Sequence, residues 1–556
     1  MIRDLLDAPQ VSSCETCIIG SGPAGITLAL ELARHGRSSL VLESGDRAAG
    51  PAQDLSGAEI VDPATHDDMS IAVARRLGGA SNLWGGRSMP LDRVDFSPRA
   101  YCAGARWPIS YSDLAPFYKT ACSYTTCGAP VFEAPTPDIV AADDDFSFTS
   151  VERASNKPKF QKAHDAALAV SQLVEIRLNA TVVDLELDEN GRVAAAMVVA
   201  RDGSRRKVAA DRFVIAAGGL ETTRLLLVAQ RRRPAAFGGP DGLLGRYYMG
   251  HIIGEIADIV FADDRFDRAF DFLKDGAGSY VRRRIVPSAE LQEAHVLPNI
   301  CFWPVVPPIA DPRHRSGALS AVALALSTPV LGPALIPEAI RIRHLGGRID
   351  LAPHLRNVIA DAPRTAAFLA RFVRERYISA QRIPGYFVRN RARRYGLSYH
   401  SEQSPRADSR VTLSDCLDRF GTPRLRIDLR FSREDAEAVA RAHRLLAGWL
   451  AKTGMARVEY RQADEDMVAA IARRMSHGTH QIGTARMGAS PAEGVVDRDL
   501  RCFHAPNLYV ASSAVFPTSG QANPTLSIVA FAARLAAHLA RADDPARLTT
   551  ASAHAS

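Results

Sequence analysis

Residues 475–488, MSHGTHQIGTARMG, place His477 and His480 three positions apart among Gly, Thr and Ser. Imidazole exchanges protons near neutral pH, so either ring could act as a general acid or base. Each could equally be a structural histidine, bonded to backbone in a loop. No hydrophobic period crosses the stretch, so neither a core helix nor a core strand is expected there. What such a group would act on depends on what the rest of the chain holds beside it.

The first fifty residues suggest an answer. ETCIIG reads as a short apolar strand, AGITLALELARHG as an amphipathic helix closed by Gly36, and SSLVLESG as a second strand. Between the first strand and the helix lies Gly20-Ser21-Gly22-Pro23-Ala24-Gly25, and Glu43 ends the next strand, 18 residues after Gly25. Strand, glycine-rich turn, helix and distant acid together form a dinucleotide-binding unit, which a lone hexad would not. Gly20 and Gly22 let backbone approach a pyrophosphate, and Gly25 lets helix and strand pack closely. The helix N-terminus at Pro23 and Ala24 offers amide donors, and Glu43, followed by Ser44, can take both ribose hydroxyls.

The 556 residues exceed one simple core and predict two or more domains, and 47% hydrophobic residues fit a globular protein. The net charge is +7, but residues 341–394 hold thirteen Arg, no Lys and three acids (Asp350, Asp361, Glu375). That block carries about +10 and leaves the rest slightly negative, so overall basicity gives no reason to expect nucleic acid. The block reads as a solvated helical face, with an anionic surface or a partner as the sharper alternative. The eight cysteines include Cys14-x-x-Cys17 and Cys122-x4-Cys127 but complete no zinc pattern, and Cys17 lies in an apolar strand, so no metal is expected. MIRDLLDAPQVSS has no apolar signal core and no twin Arg, and the cytoplasm is the default expectation. The longest apolar run, 318–337, is broken by three prolines; it reads as a strand and loop and not as a membrane span. Alternating strands are expected over 173–217, Arg-rich helices over 338–395, helices at 433–453 and 524–541, and a frayed tail beyond.

Five motifs occur in a fixed order: GSGPAG with Glu43, RRLGGASNLWGG at 75–86, FVIAAGGLETTRLLL at 213–227, HQIGTARMG at 480–488, and LYVASSAVFPTSGQANPTLSIVAFAARLA at 508–536. As a set they resemble the glucose-methanol-choline (GMC) family of FAD-dependent oxidoreductases. LGGASNLWGG and EQSPRADSRVTLS look like its bacterial branch of sugar and glycoside oxidases. The resemblance spans the chain and is loose over 250–475. It implies an α/β FAD-binding, Rossmann-like domain assembled from discontinuous segments (1–100, 175–250 and 476–545). It also implies an α+β substrate domain with an antiparallel sheet (101–174 and 251–475), carrying the Arg-rich helical insertion at about 335–395.

The same resemblance implies the site. Gly78, Gly79, Ser81 and Asn82 would approach the cofactor, Val183 would read adenine through its backbone, and Ala217, Ser513, Asn523, Pro524 and Thr525 would complete the wall. Some relatives tether the flavin to a His in the 78–84 loop; Ser81-Asn82-Leu83-Trp84 has none, so FAD is expected to be non-covalent. His480, the residue before x-x-G-T, falls at the position of the base, and Asn523, directly before Pro524, at that of its partner. Oxidising an alcohol removes an O–H proton and a C–H hydride; flavin N5 takes the hydride, and imidazole suits the proton. Asn523 can hold the hydroxyl but not deprotonate it. His251 receives no catalytic role, and Glu402 and Gln403 are candidates to face substrate. The implied substrate is a small-molecule alcohol, foremost a sugar or glycoside hydroxyl, with oxygen or another electron acceptor. The apolar segment 296–306 keeps a sterol, aryl or aliphatic alcohol open, and a flavin-containing lyase or a silent FAD-binding protein are the other readings.

Overall fold

The computed structural model describes residues 1–9, 13–135, 144–328, 350–379, 381, 383–385 and 387–542. The strand Ser13–Ile19, the helix Pro23–Arg34 and the strand Ser39–Leu42 form as their patterns predict. Ser13–Ile19 lies at the middle of a parallel array ordered Ile2–Asp4, Val174–Leu178, Ser39–Leu42, Ser13–Ile19, Arg205–Ile215 and Leu508–Val510. The long strand Arg205–Ile215 serves two neighbourhoods. Its first half continues an antiparallel meander with Thr181–Leu187 and Val193–Val199, and its second half joins the parallel array. Segments far apart in sequence therefore build one α/β unit, with a shared apolar core under the helices Pro23–Arg34 and Thr525–Ala542.

A second unit is α+β. Its antiparallel sheet runs Ile300–Val305, Arg394–Glu402, His251–Phe261, Ala456–Tyr460. The helix Arg433–Lys452 covers it, its start fixed by a capping box between Ser432 and Asp435. Arg87–Ser88, from the N-terminal stretch, pairs with Val151–Ala154 on this side of the molecule.

Two expectations change. The apolar run from 318 begins as a helix, Gly317–Ser327, and not as a strand. Ala and Leu favour helix, and the Ser316 side chain accepts from the Leu319 amide, supplying the N-cap that the apolar count overlooks. The remainder of that run, like the tail from 543, lies outside the described residues. The Arg-rich block forms two helices, Leu351–Ala360 and Ala362–Val373, then a π-turn at Arg374–Ile378; from Arg394 it is already sheet. All eight cysteines are free thiols, with Cys17 fully buried. Among the described residues no helix is long and apolar enough to cross a membrane.

Candidate active site

The glycines of the first turn divide into two groups. Gly20 sits at φ +105°, and a Cβ there would lie 2.6 Å from the Ala216 carbonyl oxygen. A Cβ on Gly25 would strike the Gly20 carbonyl. These two are required by the chain's own packing. Gly22 is different: a Cβ there meets nothing closer than Gly79 Cα at 4.0 Å, and it would enter a cavity of about 420 Å³. The cradle is thus left open for something the polypeptide does not supply. Three helix N-termini border the cavity, at Pro23–Ala24, Gly218–Gly219 and Pro524–Thr525. Their unpaired amides and positive dipole ends suit an anionic dinucleotide. The residues present therefore fit FAD.

Of the expected cofactor residues, Gly20, Gly22, Pro23, Ala24, Glu43, Ser44, Gly79, Ser81, Val183, Ala217, Ser513, Asn523, Pro524 and Thr525 line this cavity. Gly25, Gly78 and Asn82 do not. Gly78, at φ +89°, donates its amide to Ser21 O at 3.0 Å and ties the second loop to the first turn. Asn82 Nδ2 donates to the Leu77 and Gly79 carbonyls, and its Oδ1 accepts from Gln161. Both shape the loop from behind. Glu43 is buried and partly occupied: Oε2 accepts from the Ser21 amide and hydroxyl, and Oε1 from the Gly45 amide. With about four lone-pair positions in all, its carboxylate closes the turn and keeps one free for a ribose hydroxyl.

At the other end, the G-T of H-x-x-G-T is structural. Gly483, at φ +89°, passes against the Tyr247 carbonyl, and Thr484 Oγ1 accepts from Thr223 Oγ1 at 2.7 Å. Gln481, absent from the sequence reading, links four segments: its side chain contacts the Leu220 amide and the Ala72 and Gly478 carbonyls, and its own carbonyl accepts from Ser513 Oγ. These bonds pin His480 at the cavity wall.

His480 and Asn523, 43 positions apart, come together, with Asn523 Nδ2 3.2 Å from His480 Nε2. His480 Nδ1 lies 2.9 Å from Nδ1 of His251, the first residue of its strand. The two bonds define a tautomer. Asn523 Nδ2 can only donate, so His480 Nε2 presents its lone pair and Nδ1 carries the proton. His251 Nδ1 then accepts. Its remaining N–H, on Nε2, is buried with no hydrogen-bond partner among the described residues. Asn523 Oδ1 is buried with no partner among the described residues, an acceptor left for a bound molecule.

His477 and His400 complete a packed group, their ring centroids 4.5 and 5.7 Å from that of His480. His477 Nε2 contacts Thr479 Oγ1 at 3.1 Å. Burial drives His480 and His400 well below the ordinary imidazole range, with like charges on neighbouring histidines and Arg87 adding to it. Burial likewise takes His251 to about 3 and His477 to about 4. All four are neutral at pH 7, so His480 is ready to accept a proton. Nitrogens of His251, His477 and His480 also lie within 4.8 Å of one another, a spacing that would admit a metal ion. The hydrogen bonds already made by His480 favour the proton-transfer arrangement.

Other expectations find different places. Glu402 is fully buried and bidentate to Arg99 at 2.6 and 2.8 Å, and Gln403 bonds the Gly250 amide and the Arg430 carbonyl; neither lines the cavity. The apolar segment around 296–306 is not pocket wall. Ile300 and Phe302 join the core beneath the helix Arg433–Lys452, and Arg87 and Arg282 stack on Trp303. Arg87, missed in the sequence, reaches the cavity beside Trp84 while paired with Glu152 at 2.8 Å. Against the cost of burial, Arg282 and Arg87 pull Glu152 down to about 2. Gln481 lies inside the 480–488 motif and Arg87 directly follows the 75–86 motif, but neither residue type signals its role there; His251 stands in no motif.

Comparison with known proteins follows the same lines. A GMC oxidoreductase model matches residues 405–532 and an NAD(P)-binding Rossmann-like domain model residues 18–62. Paromamine 6'-oxidase of Streptomyces fradiae is 24% identical over 94% of this chain and 90% of its own. A C-glycoside 3-oxidase of Arthrobacter globiformis is 30% identical over 28% of each. Among solved structures, an Aspergillus oryzae formate oxidase superposes with a TM-score of 0.54 at 16% identity, covering 97% of this chain and 99% of that one. Pyridoxine 4-oxidase from Mesorbium loti gives 0.51 at 17% identity, covering 94% and 99%.

Proposed function

We propose that this chain, which belongs to the GMC oxidoreductases, oxidises a hydroxyl of a sugar or glycoside to a carbonyl, with His480 as the base. The carrying observation is the His251–His480–Asn523 arrangement at the wall of the dinucleotide cavity. FAD, when bound, supplies the hydride acceptor. The chain does the rest. A substrate O–H displaces the Asn523 Nδ2–H bond and donates to the lone pair of His480 Nε2. Asn523 then holds the substrate oxygen in place, limiting its rotation, so that one C–H is presented to the cofactor. His251 keeps the Nδ1 proton from wandering and so keeps Nε2 the basic nitrogen. The carbohydrate reading is supported by the polar character of the wall near His480, where Thr479, Arg87 and Asn523 offer bonding groups that an apolar alcohol could not use.

Sugars, glycosides and apolar alcohols, added one at a time to the anaerobic yellow holoprotein, form the test. Bleaching near 450 nm by a glycoside or sugar is the expected outcome. Bleaching only by apolar alcohols would replace the substrate class, and no bleaching with FAD bound would favour a lyase.

FAD is held without a covalent bond in this reading. A tether needs a nucleophilic side chain, and among the described residues lining the cavity His480 is the sole His, Cys or Tyr. Acid precipitation should leave all yellow colour in the supernatant; colour retained in the pellet would refute it.

A further inference from the structure

The helices Leu351–Ala360 and Ala362–Val373 turn much of their apolar surface outward. Their inner faces are held largely by polar contacts: His354 Nδ1 meets Ser320 Oγ at 3.0 Å, Asn357 Nδ2 donates to the Pro312 carbonyl at 2.9 Å, and Asp361 accepts the Gly317 amide at 3.0 Å, with Phe368 packed on the small apolar core beneath. His354 is fully buried. Their outer faces carry the apolar side chains. Leu351, Leu355 and Ile359, spaced by one helical turn, are 50%, 51% and 78% exposed, and Leu369 and Val373 are 50% and 49% exposed on the next helix. An amphipathic helix ordinarily buries such a ridge. Scattered exposed leucines need no explanation, but a row of them one turn apart on one helix, with further exposed apolar residues on the next, marks a surface that meets another apolar phase.

The charges on that face select the partner. Arg356 and Arg364 are exposed among the apolar residues and have no ion-pair partner among the described residues. The nearby acids are already engaged: Asp361 by Gly317 and Arg391, and Glu375 by Arg371 and Arg374. A second copy of the chain meeting this patch across a two-fold axis would set arginine against arginine. The adjoining sequence 329–349 adds three arginines against a single acid, so it offers no complementary charge either. An apolar ridge flanked by unpaired guanidiniums is the pattern of a helix lying in a membrane interface, with the apolar side chains at the acyl boundary and arginine at the anionic headgroups. We propose that the helical insertion docks the enzyme peripherally on an anionic lipid bilayer through this face. The ion pair Arg371–Asp271 and the bond from Gln381 to the Gly278 carbonyl fasten the insertion to the substrate unit, so docking would carry the catalytic domain with it.

Co-sedimentation of the full-length holoprotein with vesicles tests this. Phosphatidylcholine vesicles containing phosphatidylglycerol should pellet the protein at least about tenfold better than phosphatidylcholine alone. Leu355→Glu/Ile359→Glu should abolish pelleting, and Arg356→Glu/Arg364→Glu, which keeps the ridge, should remove the preference for anionic lipid. Bound-flavin content equal to wild type shows that each variant is folded. Failure to pellet with either vesicle, or equal pelleting with both, overturns the proposal. So does a dimer in solution that Leu355→Glu/Ile359→Glu converts to monomer, which would make a second copy the occupant.

Discussion

His480→Ala is expected to slow reduction of the bound flavin by its alcohol substrate by about 10²- to 10⁴-fold while FAD stays bound. The size follows from the role. The substrate proton has one basic nitrogen to go to, His480 Nε2, and Asn523 cannot replace it. The pH dependence makes the prediction specific. Burial lowers the His480 pKa, so the ring stays neutral as pH falls through 6.5 and becomes protonated only well below that. In wild type kcat/KM should therefore hold level through pH 6.5 and fall only in strongly acid solution. A limb centred near 6.5, or a His480→Ala variant within about threefold of wild type, would remove His480 from the role of base. His251→Ala should act through His480: flavin is retained and the loss is about 10- to 10²-fold, because a ring freed to rotate or change tautomer mispresents its lone pair. His251→Asn, which can still accept at that position, should recover part of the rate.

How much of this was legible depends on sequence distance. The strand, turn, helix and acid of residues 15–43 reveal themselves because their geometry is local: Gly20 must turn, Gly25 must pack, and Glu43 ends the adjacent strand. His480 and Asn523 are legible through the family resemblance, as the residue before x-x-G-T and the residue before Pro524. His251 was passed over because its partner lies 229 residues away, and the contact exists only once the strand His251–Phe261 is laid beside the C-terminal loop. His400 shares that fate, since it enters the cluster from the neighbouring strand. Glu402 opens the EQSPRADSRVTLS stretch, and from the sequence it is only a candidate to face substrate. A carboxylate fully buried in a sheet needs a cation, and Arg99 takes that place. The strand expected at the start of 318–337 is a helix because the apolar stretch before Pro329 does not by itself distinguish helix from strand; the Ser316 cap decides it.

Gly22→Val is expected to weaken FAD binding strongly without harming the fold. Gly22 has φ −72° and ψ −171°, a conformation open to any residue, and a Cβ there meets no chain atom closer than 4.0 Å. The apo forms of variant and wild type should therefore melt together, within about 0.5 kcal/mol of one another. What the valine does fill is the cavity, at the helix N-terminus where the pyrophosphate must approach backbone. Affinity should fall by about 10²-fold or more, equivalent to roughly 2.7 kcal/mol. Apo proteins are the right comparison, because bound FAD raises the wild-type melting temperature by mass action alone. Gly20→Val and Gly25→Val serve as the contrast. Their Cβ atoms collide with backbone carbonyls, and Gly20 would also hold valine at positive φ, so these variants should fail to fold whether or not FAD is present. A Gly22→Val protein that purifies yellow at full occupancy would place the dinucleotide elsewhere, and the glycines of the turn would then be explained by packing alone.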